Sequence, residues 1–494
     1  MKLYELLTQL EYQLLNGTNE IEIEAPVDDS GKVRPGSLFV CIRGVVSDGH
    51  DYIGEAIDRG AAAVAAALPV SEAYQEMCEA AGVTLIGVAD TRYALASIAA
   101  VYYDFPADKL KVIGITGTKG KTTITYMIKA ILEEAGHKVG LIGTIEVLIG
   151  KTTISADNTT PESLLIQKYL NDMVDSGCDF AIMEVSSQGL KMHRTSGIRF
   201  KAGVFTNLGK DHIGPMEHAD LEEYAYCKSL LFRQCDVGIG NIDDSGYDKV
   251  CGQAACRMIT FGCGSRGDLR ADRIHLIRQQ GYLGVSYRMK GKESFPVTVY
   301  IPGSFSVYNS LAAAAVCREF EVPAQSIQKA LQMVSVKGRI EMLDVSQYFT
   351  VMIDYAHNAM SLKSILSTLR EYGPNRLIVL FGCGGNRAKA RRYEMGETAG
   401  QLADFTIITS DNPRWESPRE IMDDIENGMK KTAGRYIMIE DRKEAMRYAI
   451  RYAQPNDIVV FAGKGHETYQ DVRGKKHDMD ERKLVAEILE EGAD

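Results

Sequence analysis

The chain has 494 residues, a length that predicts about three domains. Apolar content of 45% and charged content of 25% are those of an ordinary soluble globular protein and argue against a disordered or low-complexity chain. The net charge of −10 argues against a nucleic-acid-binding face or an anionic membrane surface, and ten scattered cysteines without a Cys-x-x-Cys pair read as buried thiols in a reducing compartment, not a disulfide frame or zinc site.

The first segment, residues 1–107, reads as a small α/β unit. Met1–Leu7 carries an acid, Glu5, inside its apolar pattern, so it reads as an amphipathic helix and not a signal peptide. The longest apolar run, Ala61–Val70, is too short to span a bilayer, and the chain is expected to be cytoplasmic. Strands are expected at Ile21–Ile23, Leu38–Ile42 and Val83–Ile86, and helices at Tyr52–Arg59 and Arg92–Tyr102. Between them lie the turns at Asp29-Ser30 and Gly44–Gly49.

Residues 108–335 alternate strands and helices as a parallel sheet requires. Strands are expected at Phe180–Val185, Ala202–Thr206, Val237–Gly240 and Met258–Phe261, with helices at Thr122–Ala135, Ser163–Ser176 and Leu221–Phe232. Three alternating runs from Arg273 to Ile301 read as an antiparallel addition, followed by helices at Val307–Glu319 and Ala324–Met333. Residues 336–494 repeat the βα rhythm, with strands at Phe349–Ile353, Leu377–Phe381, Phe405–Thr409, Tyr436–Ile439 and Ile458–Ala462 and a last helix at Glu481–Glu491. The fold class is therefore α/β with a doubly wound third domain, joined through a hinge near Val336–Arg339.

One stretch organises the chain. Val112-Ile113-Gly114-Ile115-Thr116 reads as a strand, Gly117-Thr118-Lys119-Gly120 as a glycine-spaced turn, and Lys121-Thr122-Thr123 opens a helix. Strand, glycine loop and Lys-Thr at a helix start make a phosphate cradle: backbone N–H groups and the helix dipole attract the anion, Lys121 reaches the phosphates, and the Thr122 hydroxyl can hold Mg²⁺. Ile115 stands where the strict Walker pattern has glycine, so the loop is a variant. Glu184 ends the apolar strand Phe180–Val185, where ligands of doubly wound sheets sit, and is a second Mg²⁺ ligand candidate. Asp211-His212 follows the next strand; spacing alone leaves His212 open between a metal ligand and a structural residue. Lys228 lies on a helix, and periodicity alone reads it as a snorkelling surface lysine.

In the third segment, Asp354-Tyr355-Ala356-His357, Gly382–Arg387, Asp411-Asn412-Pro413-Arg414 and Gly463-Lys464-Gly465-His466-Glu467 each follow a strand. Their mixed charges (Arg387, Arg414 and Lys464 against Asp411 and Glu467) suit a zwitterion such as an amino acid.

Together with Asn158-Thr159-Thr160-Pro161, Glu184-Val185-Ser186-Ser187, His193-Arg194, Asn309 and Gly338-Arg339, these motifs resemble the Mur ligases, ATP-dependent amide-forming enzymes of peptidoglycan synthesis. The resemblance implies a central P-loop domain flanked by an N-terminal UDP-sugar-binding domain and a C-terminal Rossmann-like domain. It implies that Ser30, Val45, Val46 and Ser47 lie near the UDP end, and that Asn158, Thr159, Thr160, Ser186, Met192 and Arg194 hold the muramoyl dipeptide. ATP would take Gly117–Thr123 with Asn309, Arg339, Asp354 and His357. One Mg²⁺ would take Thr122 and Glu184, and a second His212 with Lys228 as a carbamate; Lys121, Lys228, His212 and Glu184 form the implied catalytic set. Arg387, Asp411, Asn412, Pro413, Arg414, Gly463 and Glu467 would hold the incoming diamino acid, and the Asp-Asn-Pro-Arg motif looks like the version selecting meso-diaminopimelate over lysine. A monomer without nucleic-acid partner or membrane insertion is implied. The alternatives are the same ligase using L-lysine, a ligase like folylpolyglutamate synthetase, or a non-catalytic nucleotide-binding paralogue. The chain reads Asp211-His212-Ile213-Gly214 and Gly384-Gly385-Asn386-Arg387 where the family has Asp-His-Leu-Asp and Gly-Gly-Asp-Arg.

Overall fold

The computed structural model describes residues 1–44, 47–211, 213–214, 217–279 and 281–491. The chain is mixed α/β and forms two compact units, Met1–Leu269 with Ala312–Pro323, and Arg270–Leu311 with Ala324–Asp494.

The first unit contains two sheets. The N-terminal one runs in the order Tyr12–Asn16, Thr84–Val88, Ala63–Ala67, Leu38–Val40, Pro26–Val27, and only the pair at Tyr12–Asn16 is antiparallel. The strand expected at Ile21–Ile23 does not form: Glu22 makes a single bridge to Lys2, and the edge goes to Tyr12–Asn16. Ala63–Ala67 is a strand despite alanine's helical preference, because the small side chains Ala63, Ala65 and Ala66 are fully buried in the middle of a parallel sheet.

The larger sheet of this unit runs Arg257–Gly262, Cys235–Asn241, Phe200–Phe205, Lys111–Thr116, Phe180–Glu184, Val139–Ile142, all parallel. It continues antiparallel through Glu146–Ile149 and Thr152–Ser155, strands not expected from the sequence. Val112, Ile113 and Ile115 are completely buried, each contributing about 1.5–3 kcal/mol by leaving water. The register sets Glu184 beside Ile115 and Phe205 beside Thr116, so three strands end level at the glycine loop. Helices Lys121–Glu134, Ser163–Asp175 and Leu221–Ser229 fall where expected, but the last tightens to a 3₁₀ turn over Leu230–Arg233.

The second unit begins with three antiparallel strands, Leu269–Gln279, Tyr282–Lys290 and Ser294–Val299, the alternating runs read from the sequence. Helix Ser304–Glu319 follows, its residues from Ala312 on belonging to the first unit, and then helix Ala324–Met333. A six-stranded sheet runs Glu341–Leu343, Thr350–Asp354, Ile458–Ala462, Leu377–Phe381, Phe405–Ile408, Tyr436–Met438, parallel apart from its first pair. Ile458–Ala462, last of these in the chain, lies in the middle of the sheet, which gives a doubly wound topology with a crevice at the carboxyl ends. Among the described residues no helix is long and apolar enough to cross a membrane.

Candidate active site

The strand Lys111–Thr116 enters the loop Gly117–Gly120, and Lys121 begins a helix that ends at Glu134. Gly117 has φ +146°, and a Cβ there would stand 1.9 Å from Thr206 Oγ1, so no larger residue fits. The loop is clamped from the neighbouring strand end. Thr118 N donates to Asn207 O at 2.9 Å, Lys119 N donates to Asn207 Oδ1 at 2.9 Å, and Thr206 Oγ1 donates to Lys119 O at 2.7 Å. Lys121 Nζ curls back over the loop, donating to Gly117 O at 2.9 Å and Thr118 O at 3.2 Å. Thr123, on the first helical turn, is half-buried.

Beside the cradle, Thr122 Oγ1 donates to both Glu184 carboxylate oxygens at 3.0 Å. Thr144, which the sequence reading missed, donates to the same carboxylate from its backbone N at 2.9 Å and its hydroxyl at 3.0 Å, and its Oγ1 shares a 3.0 Å hydrogen bond with Thr159 Oγ1. Its signal was the strand end Val139–Ile142 before it, which the sequence did not reveal as a strand. Thr160 Oγ1 donates to Glu184 O at 2.9 Å and accepts from Ser186 N at 2.9 Å; Ser186 in turn caps the helix Ser187–Lys191. Arg194 Nη1 donates to Thr160 O at 2.9 Å, and its Nη2 pairs with Glu162 Oε1 at 2.6 Å. Arg194 Nε is buried without a hydrogen-bond partner among the described residues. Glu162, also missed, ties Arg92 at 3.3 Å to this network.

Lys228 is not a surface residue. It is 1% exposed, its Nζ lies 4.1 Å over the Tyr224 ring, and it donates to the Gly117 carbonyl at 3.1 Å. Burial, and then the neighbouring Lys121 charge, push its amine well below the ordinary lysine range. Periodicity failed here because the helix is buried on the side it turns to the loop, with Tyr224, Ala225 and Cys227. His212, Val45 and Val46 lie outside the described residues.

The other residues expected in this unit are not drawn into that network. Ser30 Oγ donates to Glu55 Oε2 at 2.9 Å, Ser47 and Asn158 are exposed, and Met192 ends the helix Ser187–Lys191.

In the second unit, strand ends meet as expected. Gly463 N donates to Asp354 O at 3.0 Å, and the Asp354 carboxylate accepts from Ile340 N and Ala356 N at 2.9 Å each. Burial pushes the Asp354 carboxyl up, opposed mainly by the Arg339 charge. Arg339 lies 4.9 Å over the Tyr355 ring, with Nε buried and without a hydrogen-bond partner among the described residues. His357 is exposed, and its Nδ1 lies 2.8 Å from Tyr355 O. Asn309 is buried on the helix Ser304–Glu319.

The loops at 384–387 and 411–416 are zipped together. Gly385 N donates to Asn412 O at 2.8 Å, Arg414 Nη1 donates to Gly385 O at 2.7 Å, and Trp415 N donates to Asn386 Oδ1 at 3.3 Å. A Cβ on Gly384 would lie 3.5 Å from Arg414 Nη1 and 3.9 Å from Arg387 Cγ, so both arginines flank this point; Arg387 itself is exposed. Asp411 and Asn412 are buried, Pro413 with them, and Asn412 Nδ2 donates to Glu467 Oε2 at 2.8 Å. Two arginines beside the carboxylates of Asp411 and Glu467 at one crevice can hold both ends of an amino acid.

Comparison with known proteins gives the family. Residues 28–103 match the Mur ligase family catalytic domain, 115–317 the Mur ligase middle domain and 338–465 the Mur ligase glutamate ligase domain. A relative from Caldanaerobacter subterraneus subsp. tengcongensis, a UDP-N-acetylmuramoyl-L-alanyl-D-glutamate–2,6-diaminopimelate ligase, is 43% identical over 99% of this chain and 99% of its own. The chain belongs to the Mur ligase family. A solved structure of a ligase of that same name superposes on this Mur ligase with TM-score 0.72 and 27% identity, covering 100% of this chain and 99% of that one. A Mycobacterium tuberculosis folylpolyglutamate synthase complexed with ADP and AMPPCP shares the fold at TM-score 0.58 and 15% identity, covering 76% of this chain and 92% of its own. As a Mur ligase the chain is an ATP-dependent ligase with the expected α/β, three-domain architecture.

Proposed function

We propose that this Mur ligase adds meso-2,6-diaminopimelate to UDP-N-acetylmuramoyl-L-alanyl-D-glutamate in peptidoglycan synthesis, acting in the cytoplasm as a monomer. The observation that carries this choice of acceptor is the Asp411–Arg414 loop, locked to Gly385 and Glu467 by direct hydrogen bonds, in a chain aligned end to end with ligases named for that substrate. The same end-to-end match disfavours a folate ligase, and the intact loop with Lys121, Thr122, Glu184 and Lys228 disfavours a non-catalytic paralogue.

The D-glutamyl γ-carboxylate oxygen attacks the γ-phosphorus of ATP, the bond to the β,γ-bridging oxygen breaks, and ADP leaves. The amine nitrogen then attacks the acyl carbon, inorganic phosphate departs, and the nitrogen loses its proton to give the amide. Residues 117–123 bind the triphosphate, with Lys121 and the helix N-terminus meeting charge on the transferring phosphoryl group. Asn309, Arg339, Asp354 and His357 are the second unit's nucleotide residues in this proposal. Thr159, Thr160, Ser186 and Arg194 orient the dipeptide, with Asn158 and Met192 nearby. Ser30, Val45, Val46 and Ser47 serve the uridine end. Arg387, the residues 411–414, Gly463 and Glu467 receive the diamino acid.

The hydroxyl of Thr122 on the first helical turn and the carboxylate of Glu184 at a strand end are hard oxygen donors 3.0 Å apart, a set that fits Mg²⁺. The ion supplies charge neutralisation at the phosphates. His212 and a carbamate of Lys228 would hold a second one. Lys228 suits that modification because burial lowers its basicity, which favours the unprotonated form whose nitrogen attacks CO₂ with loss of a proton.

The test is phosphate release from ATP with the UDP-muramoyl dipeptide and meso-diaminopimelate, L-lysine or L-ornithine, each in turn. Release that needs the dipeptide and favours diaminopimelate is expected. Release with lysine alone corrects the acceptor, and no release with any of them overturns the proposal.

A further inference from the structure

Lys464 is the largest charged side chain with zero exposure at the diamino-acid crevice. The mixed-charge reading of the sequence counted it among groups facing a zwitterion. Its surroundings say otherwise. An ammonium has three donors. Here Nζ donates to Asn412 Oδ1 at 2.9 Å, to Glu467 Oε2 at 2.9 Å and to the Tyr469 carbonyl. Asp411 Oδ1 stands farther off at 3.8 Å. All three donors are used within the protein, so none remains for a ligand.

Asn412 and Glu467 are left with fixed polarity by this arrangement. Asn412 Oδ1 accepts from Lys464 Nζ and from Asp471 N at 2.9 Å, so the amide oxygen points inward. Its Nδ2 must then point the other way, and donates one hydrogen to Glu467 Oε2 at 2.8 Å. Glu467 Oε2 accepts from both Asn412 and Lys464, which holds that carboxylate edge-on. What remains outward is one amide hydrogen of Asn412 and Glu467 Oε1, which among the described residues carries no hydrogen bond. A donor beside a carboxylate oxygen complements the carboxylate and ammonium of one amino-acid end. Flip the amide and the donor becomes an acceptor, which repels the same carboxylate.

Resting on the proposed acceptor specificity, we infer that Lys464 is a positioning residue: it touches no substrate but sets the Asn412 amide orientation and the Glu467 carboxylate, and through them the preference for a diamino acid with a second carboxylate over lysine, which lacks it. A site built to hydrogen-bond a substrate group rejects an analogue without it far more strongly than an apolar site does. Losing the orientation should therefore erode selectivity more than turnover.

The experiment compares kcat/KM for meso-diaminopimelate and L-lysine in the parent, Lys464→Met and Lys464→Gln, with KM for ATP measured alongside. Lys464→Met removes the donors at similar length; Lys464→Gln keeps two neutral amide donors in place of three charged ones. The inference expects the diaminopimelate-to-lysine ratio to fall about tenfold or more in Lys464→Met, the scale of a lost charged hydrogen bond, through a raised KM for diaminopimelate with KM for ATP unchanged. Lys464→Gln should fall between it and the parent. A ratio in Lys464→Met within about twofold of the parent, or KM values for diaminopimelate and ATP rising together, overturns it. Should Lys464→Met not fold, the ratio in Lys464→Gln decides in the same way. A parent that discriminates against diaminopimelate would count against the proposed function, whereas an unchanged ratio in the variants of a selective parent counts against Lys464 alone.

Discussion

Single residues around the glycine loop carry the sharpest consequences. Gly117 combines a positive φ with a Cβ position 1.9 Å from Thr206 Oγ1. Gly117→Ala should therefore displace the loop from Thr206 and raise KM for ATP, at a conformational cost of about 1–3 kcal/mol, seen as a lowered unfolding midpoint. Normal nucleotide affinity in that variant would mean the loop does not bind the phosphates. Lys228→Ala should abolish turnover and recover part of it when a short carboxylic acid fills the cavity; near-normal activity without added acid would remove the carbamate. His466 makes a pH prediction. Burial, and then Arg339, push its imidazole down to about 4. Its native pKa is thus below the unfolded value, so between these values the unfolded chain binds a proton that the folded one does not. Stability contributed by neutral His466 is full above about pH 6.5 and is lost as pH falls towards 4, by at most about 3 kcal/mol and less after solvent screening. His466→Gln should flatten the pH dependence of urea unfolding in that window.

At the level of elements, the loops at 384–387 and 411–416, proposed above to hold the acceptor, depend on a buried arginine outside any motif. Arg392, 1% exposed on the helix Lys389–Leu402, donates to Asp424 Oδ2 at 2.9 Å and Glu416 Oε1 at 2.8 Å, while the same Glu416 oxygen accepts from Asn386 N. It joins that helix to Pro418–Met429 and to both acceptor loops. Arg392→Ala removes the cation from Asp424, which keeps Tyr393 Oη at 3.0 Å, and from the partly exposed Glu416, so the cost is at most about 3–5 kcal/mol, that of breaking a fully buried pair. A large fall in unfolding midpoint with a raised KM for the diamino acid is expected; unchanged values would show the loops are held without it. The example also marks what could be read beforehand. Long periodic elements such as Lys121–Glu134 and Ala324–Met333, and polar strand ends such as Glu184 and Asp411–Arg414, were legible because local spacing specifies them. Ala63–Ala67, Thr144, Arg392 and the burial of Lys228 were not, because long-range packing decides them: a neighbouring strand, a carboxylate from elsewhere in the chain, a helix turned towards a loop.

For the whole molecule, composition and net charge left open which soluble chemistry the chain performs, and the ordered motifs along its length closed that question. One compact unit carries the glycine loop with its lysines and Glu184, the other the linked loops at 384–387 and 411–416. The central claim is that ATP activates the D-glutamyl γ-carboxylate for amide formation at these groups. Its most direct measurement uses UDP-muramoyl dipeptide labelled with ¹⁸O in that carboxylate, together with ATP and meso-diaminopimelate, and determines the isotopic composition of the released phosphate. Transfer of one labelled oxygen to phosphate for each amide formed is the predicted result. Unlabelled phosphate accompanying the same amide would contradict it.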